Sequence, residues 1–162
     1  NNVSVIIDSS KTPEQAFALY PSTKFNFKII YLKRDIRAVT LSRKKWRVKF
    51  NKSNNLYHLL IASKLRDMRS IDFLRKVKED DKISITYEDL ANNPQDTIDK
   101  IVKKFNLNSF QVPEYMYLEG DHTVAGTPNR FEKRKIVYDL SWESQIKDKP
   151  FLNFIGKLID KI

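Results

Sequence analysis

Arg34 and Ser42, an arginine and a serine eight residues apart, are well suited to binding an anion. A guanidinium offers five N–H donors to a phosphate or sulfate, and a serine hydroxyl adds a further donor. Arg34 precedes a predicted helix and Ser42 follows Arg34 by two helical turns; the first N–H groups of this helix carry partial positive charge. A structural alternative remains, in which Arg34 pairs with the neighbouring Asp35 or both residues simply cap the helix.

The elements around this pair are predicted from its flanking sequence. An apolar run from Phe25 to Leu32 indicates a buried parallel strand, and Lys33-Arg34-Asp35 ends it. Helical spacing of apolar residues then begins at Ile36 and continues to about Trp46. Open α/β sheets bind their ligands at the carboxyl ends of their strands. The sequence therefore predicts that Arg34 lies at the ligand-binding edge of a sheet.

The rest of the chain continues the alternation of strands and helices. Further strands are predicted at Val3–Ile7 and Ile83–Tyr87, helices at Pro13–Leu19, Leu56–Val77, Pro94–Phe105 and Leu152–Ile162, and an irregular loop at Val112–Ser141. This order predicts one α/β domain over residues 1–162, with a parallel sheet covered by helices on both faces.

Composition narrows the function classes. The chain has 162 residues, of which 41% are hydrophobic, so it can bury a core; its net charge of +10 favours anionic partners. It has no cysteine, which excludes disulfides, thiolate catalysis and cysteine zinc sites. We find no signal peptide and no apolar run long enough to span a bilayer, and we expect a cytoplasmic protein without a membrane span.

The run Arg34-Asp35-x-Arg37-Ala38-Val39, followed by Ser42-Arg43, resembles the 3′-phosphate-binding motif of sulfotransferases that use 3′-phosphoadenosine-5′-phosphosulfate (PAPS). Three further segments resemble this family in the same order, and the four cover most of the chain. They are DSSKTP (Asp8–Pro13), ITYEDLANNPQDTIDKIVKKFNL (Ile85–Leu107) and HTVAGTPNRF (His122–Phe131) with the later Asp139 and Trp142.

The resemblance implies an α/β fold of the P-loop-NTPase-like sulfotransferase type, with a parallel sheet flanked by helices. It implies transfer of a sulfuryl group from PAPS to a hydroxyl or amine, which leaves adenosine 3′,5′-bisphosphate and requires no metal. The acceptor, a small molecule or a carbohydrate, is not identified by the sequence. Aromatic residues that could line its pocket are Trp46, Phe50, Tyr57, Tyr115 and Tyr117.

The resemblance also assigns donor-binding residues. Arg34 and Ser42 would hold the 3′-phosphate, and Tyr87 would pack near the adenine. A loop folded over the nucleotide would contribute Gly126, Thr127 and Arg130, and Lys133 or Arg134 would touch the 3′-phosphate. Where many relatives have Gly-Asn-Pro in this loop, the present chain has Gly-Thr-Pro.

Two residues near the first helix are the catalytic candidates. In related sulfotransferases with Lys-x-Pro at this place, the lysine stabilises the sulfuryl group in transit, and the resemblance gives this role to Lys11. Asp8 is the carboxylate best placed to act as the base. In several branches of the family, however, the base comes from the N-terminal region. A capping role for Asp8, Ser9 and Ser10 is an alternative that is compatible with chemistry at Lys11. His122 would support the donor loop structurally.

The family binds the 5′-phosphosulfate with a loop between its first strand and first helix, and the sequence shows no glycine-rich loop of the GxxxxGK[ST] kind. We therefore expect this chain to correspond to the C-terminal portion of a sulfotransferase, with the N-terminal strand, loop and helix missing. Such a segment, in the same or a separate chain, would be a partner, and the isolated chain would be inactive.

Other readings of the sequence remain. Glu88 and Asp89 are adjacent on a predicted strand end, where successive side chains point to opposite sides, so we do not expect them to form a metal site together; we expect Asp89 to cap the following helix.

The run Lys44–Phe50, KKWRVKF, would suit a basic nucleotide- or nucleic-acid-binding module, although we expect no specific nucleic-acid partner. A nucleotide kinase lacks support, because the chain shows no Walker lysine. A non-catalytic remnant of the fold is a further alternative.

Overall fold

The structure is a computed structural model that describes residues 5–8, 12–21, 24–50, 52, 55–116 and 134–161, with Met116 and Arg134 described by their backbone alone. Within these ranges, helices and strands alternate in the first part of the chain. The elements are α1 (Pro13–Leu19), β1 (Ile29–Lys33), α2 (Ile36–Lys49), α3 (Leu56–Lys76), a 3₁₀ turn (Glu79–Asp81), β2 (Lys82–Thr86), α4 (Tyr87–Asn92), α5 (Pro94–Phe105), β3 (Tyr115–Met116), β4 (Arg134–Lys135), α6 (Ser141–Lys147) and α7 (Pro150–Asp160).

Two parallel strands organise the ligand-binding edge. β1 and β2 pair in register from Ile29 opposite Lys82 to Lys33 opposite Thr86, so both strands end at the same level. Arg34 directly follows β1 and Tyr87 directly follows β2. Both residues consequently lie at the carboxyl edge of the sheet. The connection between them runs through α2 and α3, as a parallel pair requires.

The hydrophobic core is built around the first half of α2. Its buried members come from α2, α3, α6 and α7, namely Ile36, Ala38, Leu41, Leu60, Trp142, Ile146 and Leu152. Burying each large side chain contributes about 1.5–3 kcal/mol. Since this packing fixes the start of α2, it also fixes the two residues that link β1 to α2.

Most of the helical predictions are confirmed. The structure has helices at Pro13–Leu19 and Pro94–Phe105, with the predicted bounds, and the long helix α3 ends one residue earlier than predicted. Proline stands at the first turn of both shorter helices, where its missing N–H costs nothing. The parallel pairing of β1 and β2 confirms the predicted sheet type.

The predicted strand Val3–Ile7 is wrong over its described part. Residues 5–8 form no strand, and Val5, Ile6 and Ile7 are 53%, 79% and 88% exposed; residues 3 and 4 lie outside the described part. An apolar run becomes a buried strand only when a neighbouring strand pairs with it and helices cover it. The described strands provide no such pairing for residues 5–7.

The C-terminal third contains more regular structure than predicted. β3 and β4 form a short antiparallel pair, with Tyr115 opposite Lys135, at two places in the predicted loop Val112–Ser141. The helix α6 was not predicted either, because it is short and, unlike α1, has no proline at its first turn to mark its start. Its inward residues are Trp142 and Ile146, which become recognisable as a buried pair only against α2.

The predictions for Tyr87 and Asp89, which follow β2, are also wrong. Tyr87 begins α4 rather than ending the strand, and Asp89 lies inside that helix. The cap is Thr86, whose hydroxyl accepts a hydrogen bond from the Asp89 N–H at 3.0 Å. Threonine suits both the end of a strand and an N-cap, so the strand passes directly into the helix. In the described part of the chain, no helix is both long and apolar enough to cross a membrane.

Candidate anion-binding site

Arg34 lies at the carboxyl end of β1 with its guanidinium over the ring of Tyr87. The guanidinium carbon is 4.1 Å from the ring centroid, and the Arg34 side chain is 22% exposed. This stacking is a cation–π contact, and it fixes the plane in which the guanidinium presents its donors. The parallel register explains the contact, because it places the residues that follow β1 and β2 next to each other.

One donor of Arg34 is left unused. Its Nε is buried and has no hydrogen-bond partner, and its Nη2 lies 4.0 Å from the carboxylate of Asp139, at the limit of an ion pair. A buried charged donor without an acceptor is costly, and native structures rarely leave such groups unsatisfied. The guanidinium is therefore held in one orientation with its Nε donor unsatisfied.

Asp139 closes one side of this site. Its Oδ1 accepts a hydrogen bond from the Ser141 N–H at 3.0 Å, and its own N–H donates to the Tyr87 hydroxyl at 3.3 Å. The pKa of the Asp139 carboxyl is lowered, first by hydrogen bonds from Ser141 and then by the positive charges of Lys45 and Arg34. Asp139 is thus an anionic group already present beside Arg34.

Ser42 lies on the exposed side of α2, six residues beyond Ile36 and so about 9 Å further along the helix axis. Lys45 follows three residues later and shares its face of the helix. Lys45 acts electrostatically on Asp139, which in turn contacts Arg34. Through Lys45 and Asp139, the face of α2 that bears Ser42 is electrostatically coupled to Arg34. Binding of one anion by both Arg34 and Ser42 stays a prediction.

Sequence reasoning missed Lys45 and the placement of Asp139 beside Arg34. The i,i+3 spacing from Ser42 was a signal that could have identified Lys45. Asp139 was part of the family resemblance, but its contact with Arg34 depends on how the segment before α6 returns to the sheet edge. That return is fixed by the hydrogen bond from its N–H to Tyr87.

The alternative pairing of Arg34 with Asp35 is not the one observed. Asp35 caps α2 by accepting the Arg37 N–H at 2.8 Å, and both of its oxygens accept hydrogen bonds from the Arg37 guanidinium. Burial alone would raise the pKa of the Asp35 carboxyl, but the hydrogen bonds from Arg37 outweigh this effect and lower it. The acidic neighbour of Arg34 is therefore engaged with Arg37.

Arg37 ties the linker between β1 and α2 to the C-terminal helices. Its Nη1 donates to the Asn153 side chain at 2.6 Å, and its guanidinium lies 5.0 Å from the Trp142 ring centroid. Its aliphatic part crosses α7 at Gly156. The Ile36 N–H also donates to the Asp160 carboxylate at 3.3 Å. Two helices thus support the backbone that follows Arg34.

The other predicted catalytic and donor-binding residues are not among the described contacts of Arg34 and Arg37. Asp8 is exposed in the non-helical segment 5–8, and Arg134 is described only by its backbone in β4. Lys11, Gly126, Thr127, Arg130 and Lys133, with His122 and Tyr117, lie outside the described residues.

The described aromatic candidates for an acceptor pocket occupy separate contacts. Trp46 stacks on Phe50, Tyr57 packs on Phe151, and Tyr115 belongs to β3. In the described part of the chain, no cluster of three or more histidine, cysteine or acidic side chains could hold a metal. That search includes Glu88 and Asp89, now in α4.

Comparison with solved structures identifies a similar fold. A structure described as the sulfotransferase domain from the curacin biosynthetic pathway superimposes with a TM-score of 0.55 at 21% sequence identity. The alignment covers 83% of the present chain and 50% of that domain. The chain has a sulfotransferase-like fold. No family model matches the sequence, and no curated protein matches it.

The sulfotransferase-like fold agrees with the α/β architecture predicted from sequence. The chain spans about half the length of the curacin-pathway domain. At this level of identity the likeness concerns the fold, whereas use of PAPS and the P-loop relationship remain predictions. In the present chain, the Arg34 site is built on the two-stranded parallel sheet and its flanking helices.

Proposed function

We propose that this chain contributes the 3′-phosphate-binding part of a PAPS-dependent sulfotransferase, with Arg34 as the principal phosphate ligand. The observation that carries the proposal is the buried Arg34 Nε, which has no acceptor although its guanidinium is held over Tyr87. A phosphate placed beside Arg34 would receive charge-assisted N–H donors from its guanidinium. The sulfotransferase-like fold supports the same function.

The surrounding charges favour binding of a phosphate. Ser42 can donate its hydroxyl, and Lys45 adds a positive charge on the same face of α2. Asp139 opposes an incoming anion, but its pair with Arg34 is long and its side chain is 52% exposed. A dianionic phosphate in hydrogen-bond contact would therefore replace a weak, solvent-screened pair with a stronger one.

Sulfuryl transfer would proceed by in-line displacement at sulfur. The acceptor oxygen or nitrogen attacks the sulfur, and the bond from sulfur to the bridging phosphate oxygen breaks. The acceptor proton passes to a base, for which Asp8 is the candidate in this chain. Lys11 would stabilise the charge that develops on the leaving oxygen.

Further nucleotide contacts are proposed for residues 126–134, which end at the start of β4. Gly126 and Thr127 would let the backbone approach the donor, and Arg130 would present a second guanidinium to phosphate. Lys133 or Arg134 would add positive charge at the 3′-phosphate. The 5′-phosphosulfate would be bound by a P-loop-type segment supplied from elsewhere in the enzyme, and the acceptor would be a small molecule or a carbohydrate.

Titration calorimetry with two nucleotides tests this proposal. Adenosine 3′,5′-bisphosphate should bind more tightly than adenosine 5′-monophosphate, which lacks the 3′-phosphate. Arg34→Ala should remove most of this preference, and Ser42→Ala part of it, since a charge-assisted hydrogen bond contributes about 1.5–3 kcal/mol. Arg75→Ala, at an exposed position on α3, is the matched control. Equal losses for both nucleotides in Arg34→Ala would contradict a 3′-phosphate role.

A second candidate function rests on the surface of α2. Trp46 and Phe50 stack with ring centroids 4.4 Å apart, and both are about half exposed among basic residues of the KKWRVKF run. Exposed aromatics in a basic surface can stack on bases, so a non-catalytic nucleotide- or nucleic-acid-binding module is the alternative. Fluorescence anisotropy with a labelled oligothymidine distinguishes the two. The alternative requires Trp46→Ala to weaken binding and the bisphosphate to compete poorly.

A further inference from the structure

A cavity of about 410 Å³ lies between the second half of α2 and the segment that joins α6 to α7. Its apolar lining consists of Leu41, which is buried, and Val48, which is half exposed. Polar and charged side chains complete the lining; they are Lys44, Lys45, Gln145, Asp148 and Lys149. The volume is within the range of sites that bind small molecules, about 300–1,000 Å³.

The charges around this cavity are unbalanced. Three ammonium groups and a single carboxylate line it. Lys149 Nζ donates to the main-chain oxygen of Gln145 at 3.3 Å, which holds one ammonium at the rim. Among the described residues, neither Lys44 nor Lys45 forms an ion pair with a carboxylate. Positive charge here is therefore available to a ligand.

We propose that this cavity binds a small organic anion, in which a carboxylate or sulfate group contacts the lysines and an apolar body covers Leu41 and Val48. The combination of an apolar floor with a few convergent charges is typical of such sites. A polyanion would need charge along a continuous surface, whereas these lysines surround one concave space. The ligand class is accordingly a compact molecule with one oxyanion group.

This cavity is distinct from the nucleotide-phosphate site. Leu41, Lys44 and Val48 recur every three or four residues and form one stripe of α2, whereas Ser42 is not part of the cavity lining. Lys45 borders both regions, since its charge also acts on Asp139. Neither Arg34 nor Ser42 lines the cavity, so binding there requires no 3′-phosphate, and its failure would leave the proposed function, which rests on Arg34, untouched.

Phenyl sulfate and phenol form the matched pair of probes. They share the aromatic ring, but only phenyl sulfate carries a negative charge at neutral pH. We expect phenyl sulfate to cause saturable NMR shifts of the Leu41 and Val48 methyl groups, and phenol to cause much smaller ones. These shifts should persist when the protein is saturated with adenosine 3′,5′-bisphosphate. Equal shifts with phenol, or displacement by the bisphosphate, would overturn a separate anion site.

Charge-changing variants give a second readout. Lys44→Gln and Lys149→Gln should each weaken phenyl sulfate binding about fivefold, whereas Asp148→Asn should strengthen it. Lys103→Gln, which changes an exposed lysine on α5, should leave the affinity unchanged. Far-ultraviolet circular dichroism identifies any variant that fails to fold. Folded Lys44→Gln and Lys149→Gln proteins with wild-type affinity would refute the proposal.

Discussion

The side chain of Arg37 crosses α7 directly above the backbone of Gly156. A β-carbon at position 156 would lie 2.5 Å from Arg37 Cγ and 2.9 Å from Cδ, closer than non-bonded carbon atoms approach. Only glycine leaves this space open. The crossing lets Arg37 reach Asp35 and Asn153 at once, and thus joins α7 to the linker that carries Arg34.

Gly156→Ala should destabilise the protein, although alanine favours a helix interior by about 1 kcal/mol over glycine. The overlap with Arg37 should cost about 1–3 kcal/mol, as overpacking usually does. Urea denaturation measures the change. In an Arg37→Ala background the space is open, so the same Gly156→Ala substitution should become neutral or stabilising. A similar loss of stability in both backgrounds would show that Arg37 is not the group that excludes alanine.

Asp139→Asn should increase the affinity for adenosine 3′,5′-bisphosphate about threefold, because it removes a negative charge beside Arg34. Asparagine can still accept the Ser141 N–H that Asp139 accepts, so the start of α6 is retained. Titration calorimetry measures the affinity, and Asp72→Asn on the exposed face of α3 is the control. Weaker binding would instead mean that Asp139 orients the Arg34 guanidinium for the ligand.

The lowered pKa of Asp35 predicts an acid-dependent contribution to stability. A carboxyl whose pKa is lower in the folded than in the unfolded state stabilises the protein above its unfolded pKa of about 3.9, and this stabilisation is lost as the pH falls through its folded pKa. Asp35→Asn can retain the cap but cannot titrate. The difference in unfolding free energy between wild type and Asp35→Asn should therefore be large at neutral pH and shrink below about pH 4. If the difference in unfolding free energy did not change between neutral pH and values below about pH 4, the ion pair of Asp35 with Arg37 would be excluded as the source of that difference.

Lys11→Ala should lower kcat about 100-fold, with a much smaller change in donor affinity, in an active enzyme that also contains the 5′-phosphosulfate-binding segment. The reason is that the ammonium is needed most when the leaving oxygen gains charge. A radiolabelled-sulfate transfer assay gives kcat and KM separately. Lys52→Ala, at an exposed position, is the control. An unchanged kcat with a raised KM for the donor would show that Lys11 only binds the donor in the ground state and does not stabilise the transition state.

Local patterns in the sequence were sufficient to place several elements and to place Arg34 at the end of a strand. Proline at the first turn and apolar residues at helical spacing predicted Pro94–Phe105, which is the observed α5. The apolar run that ends at Lys33-Arg34-Asp35 predicted a buried strand followed by a helix, and β1 and α2 confirm that order. The strand begins only at Ile29, however, and its Ile30 and Leu32 are about half exposed rather than buried. These features depend on neighbours within one or two turns, so the sequence alone carries the information.

Other features were decided by contacts between distant parts of the chain. The residues Val5–Ile7 resemble a buried strand in composition but are exposed, because pairing depends on another strand. Arg37 reaches Asn153 across 116 residues of sequence, and Asp139 meets Arg34 only after the chain returns to the sheet edge. The need for glycine at position 156 likewise arises from Arg37.

The sequence by itself thus determined which residue types stand at the end of β1 and how the helices begin and end, since propensity and periodicity are local. The tertiary structure decided what those residues contact. Parallel register brought Tyr87 beneath Arg34, and packing of α6 brought Asp139 beside it. Partners so distant in sequence follow from packing and charge in three dimensions, which no short-range pattern encodes.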